Sequence, residues 1–427
     1  MIGEVISSLR NIKDRPFLKS AFVLISGTAI GQVIPVITAP IVTRIYTPQD
    51  YGLFGIFLLL SSVIGVVTTM QIENAIMIEK DDLAANSVLQ LCIFLSIVAS
   101  VFSLLLMLLF HTAIIRYFKT PELTIYLYLL PLTVLMTGIT NSLSAWGNRL
   151  LMYKSISMQR IITAIVTPVT SIIVGLLFKS VAGLFLGMLL GQFIGVMLLS
   201  RAYLAAAKYA VIPLREMLRT FKRHSAFPKF NFPSEFINLV IAQFPAFILG
   251  RFYSIASVGH YNLSNRMLSM PTMFISQAVG EVFKKRASME FHSTGNCLGT
   301  FKRTFFTLAL ISIFPFLLIF LFGPALFGFV FGKQWIEAGT FTRIMVIMFF
   351  LRFTVSPLTF VTYLRGRQVL GLIGTIVYAI TTIIVCYLIA ANTSNVYYLL
   401  IGYVTNFTWI YLCMFYINFK LAKGDEV

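Results

Sequence analysis

Arg352 stands in an apolar run with eight uncharged residues before it and twelve after it. An arginine held at mid-membrane costs about 3 kcal/mol on insertion scales, so two roles are open to it: facing a polar interior, or snorkelling to a helix end. Arg266 lies a short way into another apolar run, within LSNRMLSMP, where Asn262, Ser264, Asn265 and Ser269 supply polar neighbours. Arg44 and Arg251 each close such a run, as positive charges at a cavity mouth or as interfacial anchors beside Tyr46 and Tyr253. Acids are scarcer. Every Asp falls in a terminus or a loop, and only Glu73, Glu235 and Glu281 lie near or inside apolar runs. Proton or sodium coupling needs a carboxylate that changes charge inside the membrane, so these three are its candidates. Glu73 and Glu281 are also placed to form gates with Lys80, Lys284 or Lys285, and Glu235, two residues after Pro233, to cap a helix N-terminus. Pro35 and Pro40 in one run, and Pro245 in another, are candidate hinges. The four histidines show no HxxH or HExxH spacing and the four cysteines no CxxC pair, so neither a metal site nor a disulfide framework is expected.

The elements that must position these residues follow from composition. Of 427 residues, 58% are hydrophobic and 11% charged. A soluble domain carries about 25% charged residues, so most of this chain is solvated by lipid. The net charge of +18 would suggest nucleic acid on a soluble protein; here the basic residues lie in loops between apolar runs, and no nucleic-acid partner is expected. A membrane helix needs about 20 mostly apolar residues. Twelve such runs are present: 20–43, 51–72, 87–110, 123–148, 161–178, 180–200, 231–252, 259–282, 304–324, 341–364, and two within 368–419 divided at Asn392-Thr-Ser-Asn395. The fifth and sixth are parted by little more than Lys179, which predicts a tight antiparallel hairpin. The stretch 201–230 is rich in Lys and Arg, and predicts a linker lying along anionic lipid headgroups. The domain reading is therefore an N-terminal six-helix bundle over 1–200, a basic cytoplasmic linker over 201–230 and a C-terminal six-helix bundle over 231–427.

Basic residues set the orientation. One alternate set of loops, with both termini, holds 24 of the 33 Lys and Arg; the other holds eight. This bias places both termini in the cytoplasm, with Met1–Lys19 as an amphipathic surface segment rather than a cleaved signal. An internal repeat supports the division into halves. Arg44-Ile-Tyr46-Thr47-Pro-Gln-Asp-Tyr-Gly52-Leu-Phe54 aligns without gaps to Arg251-Phe-Tyr253-Ser254-Ile-Ala-Ser-Val-Gly259-His-Tyr261, at an offset of 207 residues. Both segments end the first run of a half and begin the second, which implies two parallel six-helix bundles facing a cavity.

The blocks TRIYTPQDYGLFGIF (43–57), ENAIMIEKDD (73–82), GHYNLSNRMLSMPTMFISQAVGEVF (259–283) and FVFGKQWIEAGTFTRIM (329–345) resemble, in order, polysaccharide flippases of the multidrug/oligosaccharidyl-lipid/polysaccharide (MOP) superfamily. The likeness is greatest to the O-antigen, or Wzx-type, flippases. It implies an all-α integral membrane protein of 12 transmembrane helices, in two bundles around a central cavity. It implies a transporter, not an enzyme, without a cofactor, that carries an undecaprenyl-diphosphate-linked oligosaccharide from the cytoplasmic to the periplasmic leaflet of the bacterial inner membrane by alternating access, coupled to an ion gradient. Expected partners are that lipid-linked substrate, membrane lipids, and the polymerase and chain-length regulator of the same pathway; the expected state is a monomer. For such a substrate Arg352, Arg266, Arg44 and Arg251 are suited to the diphosphate, because the guanidinium is always charged and pairs bidentately. A cation-coupled multidrug exporter of the same superfamily would want a carboxylate in the first bundle, and the first run has none. A membrane polysaccharide polymerase would want a larger acidic outward loop, and those loops carry only Asp50, Glu122 and Glu337.

Overall fold

Helix capping and glycine spacing decide where the apolar runs start, stop and touch in the computed structural model, which describes residues 16–206 and 212–425. Met1–Lys19 falls outside these residues up to position 15. The long helices are α1 (Pro16–Ile45), α2 (Pro48–Gly65), α3 (Asp82–Phe118), α4 (Leu130–Arg149), α5 (Tyr153–Phe178) and α6 (Ala182–Ala206). They are followed by α7 (Phe232–Phe252), α8 (Ile255–Thr294), α9 (Leu298–Phe331), α10 (Ile336–Val355), α11 (Gln368–Asn392) and α12 (Val396–Lys423). No strand occurs among the described residues.

The protein is a multi-pass membrane protein. Nine helical segments among the described residues are long and apolar enough to cross a membrane, and the bent pair Pro121–Leu127 and α4, 47° apart, makes a tenth. The expected twelve crossings therefore stand at ten by length and composition. The two outside the set are α2, eighteen residues opening on Pro-Gln-Asp, and α8, forty residues that include Arg266, Lys284, Lys285 and Arg286. Several boundaries also differ from the apolar runs. α2 ends at Gly65, where the backbone bonds shorten to three-residue turns (Val67 N–H to the Ile64 carbonyl, 3.0 Å), and Met70 and Gln71 in left-handed backbone (φ 49° and 64°) then redirect the chain before residue 72. α9 extends at both ends beyond 304–324, since Lys302 and Arg303 break hydropathy but not the helix. The run 341–364 is not one helix: α10 gives way to a 3-10 segment over Ser356–Phe360, a change that Pro357 imposes by lacking an N–H.

The repeat is visible at single-bond resolution. Thr47 and Asp50 form a reciprocal cap on α2: the Thr47 N–H donates to Asp50 Oδ2 (2.9 Å) and the Asp50 N–H to Thr47 Oγ1 (3.2 Å). Their mates at +207, Ser254 and Ser257, repeat half of it on α8, the Ser257 N–H donating to Ser254 Oγ (3.1 Å). Tyr46 donates its hydroxyl to the Ser171 carbonyl (2.7 Å) in the α5–α6 hairpin, and Tyr253 donates to the Thr393 carbonyl (3.1 Å) in the α11–α12 hairpin.

The chain divides into two compact units. The first runs to Tyr46 and resumes over Phe57–Val240; the second is Thr47–Ile56 with Ile241–Val427. In the first unit the α5–α6 hairpin is the tightest pairing. It turns at Lys179, held in left-handed backbone, and α6 presents Gly183, Gly187, Gly191 and Gly195 at four-residue spacing against Thr163, Thr167 and Ser171 of α5. Small residues let two backbones approach where lipid offers no hydrophobic drive to associate. Ile72, Ile76, Val88, Trp146 and Ile156 form a buried cluster in this unit. In the second unit Phe283, Phe301, Leu358 and Leu421 form another.

The second unit holds a reciprocal crossing. A Cβ on Gly52 would collide with the Ile255 carbonyl oxygen, and a Cβ on Gly259 with the Pro48 carbonyl oxygen. Residues 48 and 255 are themselves repeat mates, so the first turns of α2 and α8 meet about a local two-fold, glycine against backbone. Neither obstacle is a flexible side-chain end. Gly52→Ala and Gly259→Ala are each expected to destabilise the purified protein by about 1–3 kcal/mol, the cost of overpacking. Gly371→Ala in α11, with nothing near its added methyl, should be neutral or slightly stabilising. Thermal unfolding in detergent, measured side by side, checks the contrast.

Candidate functional site

Arg352 occupies the last turn of α10 and its side chain is exposed, in a segment otherwise apolar enough to span a membrane. It lies within electrostatic range of the phenols of Tyr261 on α8 and Tyr403 on α12. Both tyrosines are buried, and Tyr403 shares a hydrogen bond with Tyr378 of α11 (Oη to Oη, 3.3 Å). One further turn along, Asn406 Nδ2 donates to Thr382 Oγ1 (3.1 Å), and Thr382 is fully buried. A strip of hydroxyl and amide groups thus runs between α8, α11 and α12 inside the second unit, with one guanidinium beside it. Arg266 is on the same unit, exposed on α8, within electrostatic range of Tyr51. Chemically this is a set of hydrogen-bond donors with fixed positive charge, suited to hold an oxyanion and hydroxyls; it contains no nucleophile–base pair.

The other residues singled out by sequence are placed as follows. Arg44 ends α1 and is exposed; Arg251 ends α7, partly buried, with its guanidinium 5.8 Å from the Phe252 ring centre. Glu281 is exposed on α8 and pairs with Lys284 (2.7 Å) one turn away on the same helix, so that pair does not itself join two elements. Lys284 also lies 5.9 Å from the Phe360 ring. Glu235 is exposed in the first turn of α7, where the helix dipole favours an acid. Glu73 is half-buried in the turn after α2; its Oε2 is buried with no hydrogen-bond partner among the described residues, in electrostatic range of Cys92. α1 continues through Pro35 and Pro40, and α7 through Pro245. Among the described residues no three His, Cys, Asp or Glu side chains converge as metal ligands.

Sequence reasoning missed a second polar cluster, in the first unit. Arg149, at the end of α4, donates through Nη1 to the carbonyls of Ile76 and Glu79 (both 2.8 Å) and through Nε to Asp82 Oδ1 (2.9 Å). Glu79 Oε1 in turn meets His224 Nε2 (2.7 Å) and accepts from Arg223 Nη1 (3.3 Å). This fastens the short amphipathic helix Leu214–Arg223, within the basic linker, to the turn before α3. Its partners are up to 145 residues apart, and no local spacing signals them.

Comparison with known proteins places this geometry in context. Residues 41–340 match the model of a family described as polysaccharide biosynthesis protein. Over 152 residues the chain is 28% identical to the teichuronic acid biosynthesis protein TuaB of Bacillus subtilis (strain 168), a match covering 35% of this chain and only 31% of that protein's length. Among solved structures it is similar to the lipid II flippase MurJ in an inward closed conformation (TM-score 0.70, 13% identity, 95% of this chain and 90% of that one). It is also similar to an inward-facing multidrug resistance MATE family transporter of the MOP superfamily (TM-score 0.65, 15% identity, 92% and 95%). The fold is thus that of MOP transporters and flippases.

The Glu79 contacts give a pH dependence. Burial raises the Glu79 carboxyl pKa, but the His224 and Arg223 hydrogen bonds and charges outweigh it and hold it below its ordinary value of 4.5. A depressed folded-state pKa contributes stability above the unfolded value and loses it as pH falls through the folded one. Glu79→Gln is expected to cost about 1.5 kcal/mol at neutral pH, the scale of a hydrogen bond to a charged group. Its difference from wild type should shrink toward zero as pH drops below 4.5. Thermal unfolding of both proteins across pH checks this; a difference still undiminished at about pH 3 would contradict it.

Proposed function

Because the chain belongs to the polysaccharide biosynthesis protein family and has the MOP transporter fold, we propose that it is the flippase for an undecaprenyl-diphosphate-linked oligosaccharide repeat unit of the O-antigen type. It carries that unit from the cytoplasmic to the periplasmic leaflet of the bacterial inner membrane by alternating access, driven by an ion gradient, with both termini cytoplasmic. It works as a monomer, beside the polymerase and chain-length regulator that consume its product. The observation that carries this reading is the exposed Arg352 in a membrane-length segment, flanked by the buried Tyr261 and Tyr403, the latter bonded to the partly buried Tyr378. A diphosphate needs fixed positive charge and a glycan needs hydrogen-bond partners; in hydrocarbon neither is obtained from solvent. Arg266 supplies a second cation on the same unit, and Arg44 at the end of α1 and Arg251 at the end of α7 each offer the substrate a periplasmic cation on their own unit. Pro35, Pro40 and Pro245 are the bending points, since each leaves a carbonyl without its helical N–H.

A cation-coupled multidrug exporter is the second reading, favoured by the MATE-like fold and by the buried oxygen of Glu73. Against it, α1 carries no Asp or Glu.

Surface O-polysaccharide and lipid-linked intermediate are to be measured in a deletion strain complemented with wild type, Arg352→Ala or Arg352→Lys at matched membrane levels. The alanine variant is expected to lower surface polymer at least tenfold and to accumulate intermediate on the cytoplasmic face, with partial rescue by lysine. Normal polymer with Arg352→Ala removes the arginine from the site. Normal polymer in the deletion strain itself overturns the flippase reading.

A further inference from the structure

His260, one residue beyond the Gly259 crossing, has a side chain 5% exposed, and its Nε2 lies 3.3 Å from Glu337 Oε2 at the start of α10. Its Nδ1 is buried and has no hydrogen-bond partner among the described residues. The ring sits in an aromatic box: Trp335 is edge-on at 5.6 Å and Phe341 at 5.9 Å. Behind them stand Tyr51, edge-on to Trp335 at 4.9 Å, and Tyr397, edge-on to Phe341 at 6.1 Å. Glu337 differs: its side chain is 44% exposed, so the same carboxylate touches both the closed box and the outside.

We propose that His260 and Glu337 form a proton-binding site of the second unit, through which protons entering at Glu337 drive the transport cycle. A neutral imidazole has one donor and one acceptor nitrogen. If Nε2 donates to Glu337, the Nδ1 lone pair is buried without a donor; in the other tautomer, the Nε2 lone pair faces a carboxylate. Each neutral form leaves one nitrogen in an unfavourable setting. A proton converts the Nε2 contact into a charge-assisted bond to Glu337, at the cost of a buried Nδ1–H in apolar surroundings. The pair thus has two states that differ by one proton, the neutral form favoured by burial and the charged form by Glu337, and a coupling site works by switching between two such states.

The groups facing this site from the packed elements do not replace its chemistry. α10 brings Glu337, the turn before it Lys333 and Trp335, the start of α2 Asp50 and Tyr51, and the start of α12 Tyr397; Arg266 follows on α8 itself. Lys333 is exposed, and Asp50 is engaged by Thr47. Among the described residues Glu337 alone reaches the imidazole with an acceptor. The repeat mate of His260 in the first half is Leu53, so an apolar side chain fills the equivalent position where packing is the only demand. In the proposed orientation the ends of α9 and α11 and the starts of α8, α10 and α12 are periplasmic, the proton-rich side. The role in coupling rests on the transport reading above; the proton site itself does not.

The chain has three tryptophans, of which Trp335 touches His260, and a protonated imidazole quenches a neighbouring indole. Intrinsic fluorescence of the purified full-length protein is expected to fall on acidification. That titration should persist in Trp146→Phe and Trp409→Phe and vanish in Trp335→Phe and in His260→Gln. Glu337→Gln, a change at a half-exposed side chain that leaves the fold intact if the buried histidine variant does not, is expected to move the midpoint about one unit lower. No His260-dependent titration, or a midpoint unmoved by Glu337→Gln, overturns the site. In proteoliposomes an imposed inward proton gradient should speed translocation several-fold in wild type and not in His260→Gln; equal rates with and without the gradient in wild type overturn the coupling. If the fluorescence titrates while wild type translocates nothing, the proton site stands and the transport reading falls.

Discussion

A polar group in hydrocarbon has no water to fall back on, and most features of this chain follow from that constraint. It forces the backbone into helices, and it forces helices that carry hydroxyls, amides or charges to turn those groups toward one another. The α5–α6 hairpin shows the rule in its mildest form: glycines on one helix admit Thr163, Thr167 and Ser171 of the other, and Tyr46 reaches in to the Ser171 carbonyl. The strip of Tyr261, Tyr378, Tyr403, Thr382 and Asn406 shows it at higher stakes. There the polar groups bond to one another, and Arg352 lies within electrostatic range of two of them.

The two halves respond to this constraint in the same way up to a point. They share caps, tyrosine-to-carbonyl bonds and the glycine crossing at positions 207 residues apart. They part company at His260 and Glu337, where the second half places a titratable pair and the first has leucine at the position of the histidine. They part again at Glu79, His224 and Arg149, which tie the linker helix to the first half. Symmetry thus builds the scaffold, and the departures from it carry the ionisable chemistry.

Much of the scaffold was legible in the sequence, because apolar runs near twenty residues long admit few readings and because Arg44–Phe54 and Arg251–Tyr261 align without gaps. Helix ends were less legible. Hydropathy carries α2 to residue 72, but the helix gives way to turns after Gly65; it starts α9 at 304, although lysine and arginine are good helix formers and the helix begins at Leu298. Arg352 and Arg266 announced themselves as charges in apolar surroundings. Their tyrosine neighbours did not, since eighteen tyrosines in a membrane protein look alike until burial separates them. His260 and Glu337 were invisible for a simpler reason: they stand 77 positions apart, with a whole helix between them.

The central claim is that this protein moves a diphosphate-linked oligosaccharide lipid between leaflets. The direct measurement is translocation by the purified chain in liposomes seeded with a polyprenyl-diphosphate-linked, fluorescently labelled oligosaccharide, read as the fraction of label that a membrane-impermeant quencher reaches. The account predicts that the quenchable fraction rises well above that of protein-free liposomes, and that an unlabelled diphosphate-linked competitor suppresses the rise. A quenchable fraction equal to that of empty liposomes, from protein shown to be folded, would contradict it.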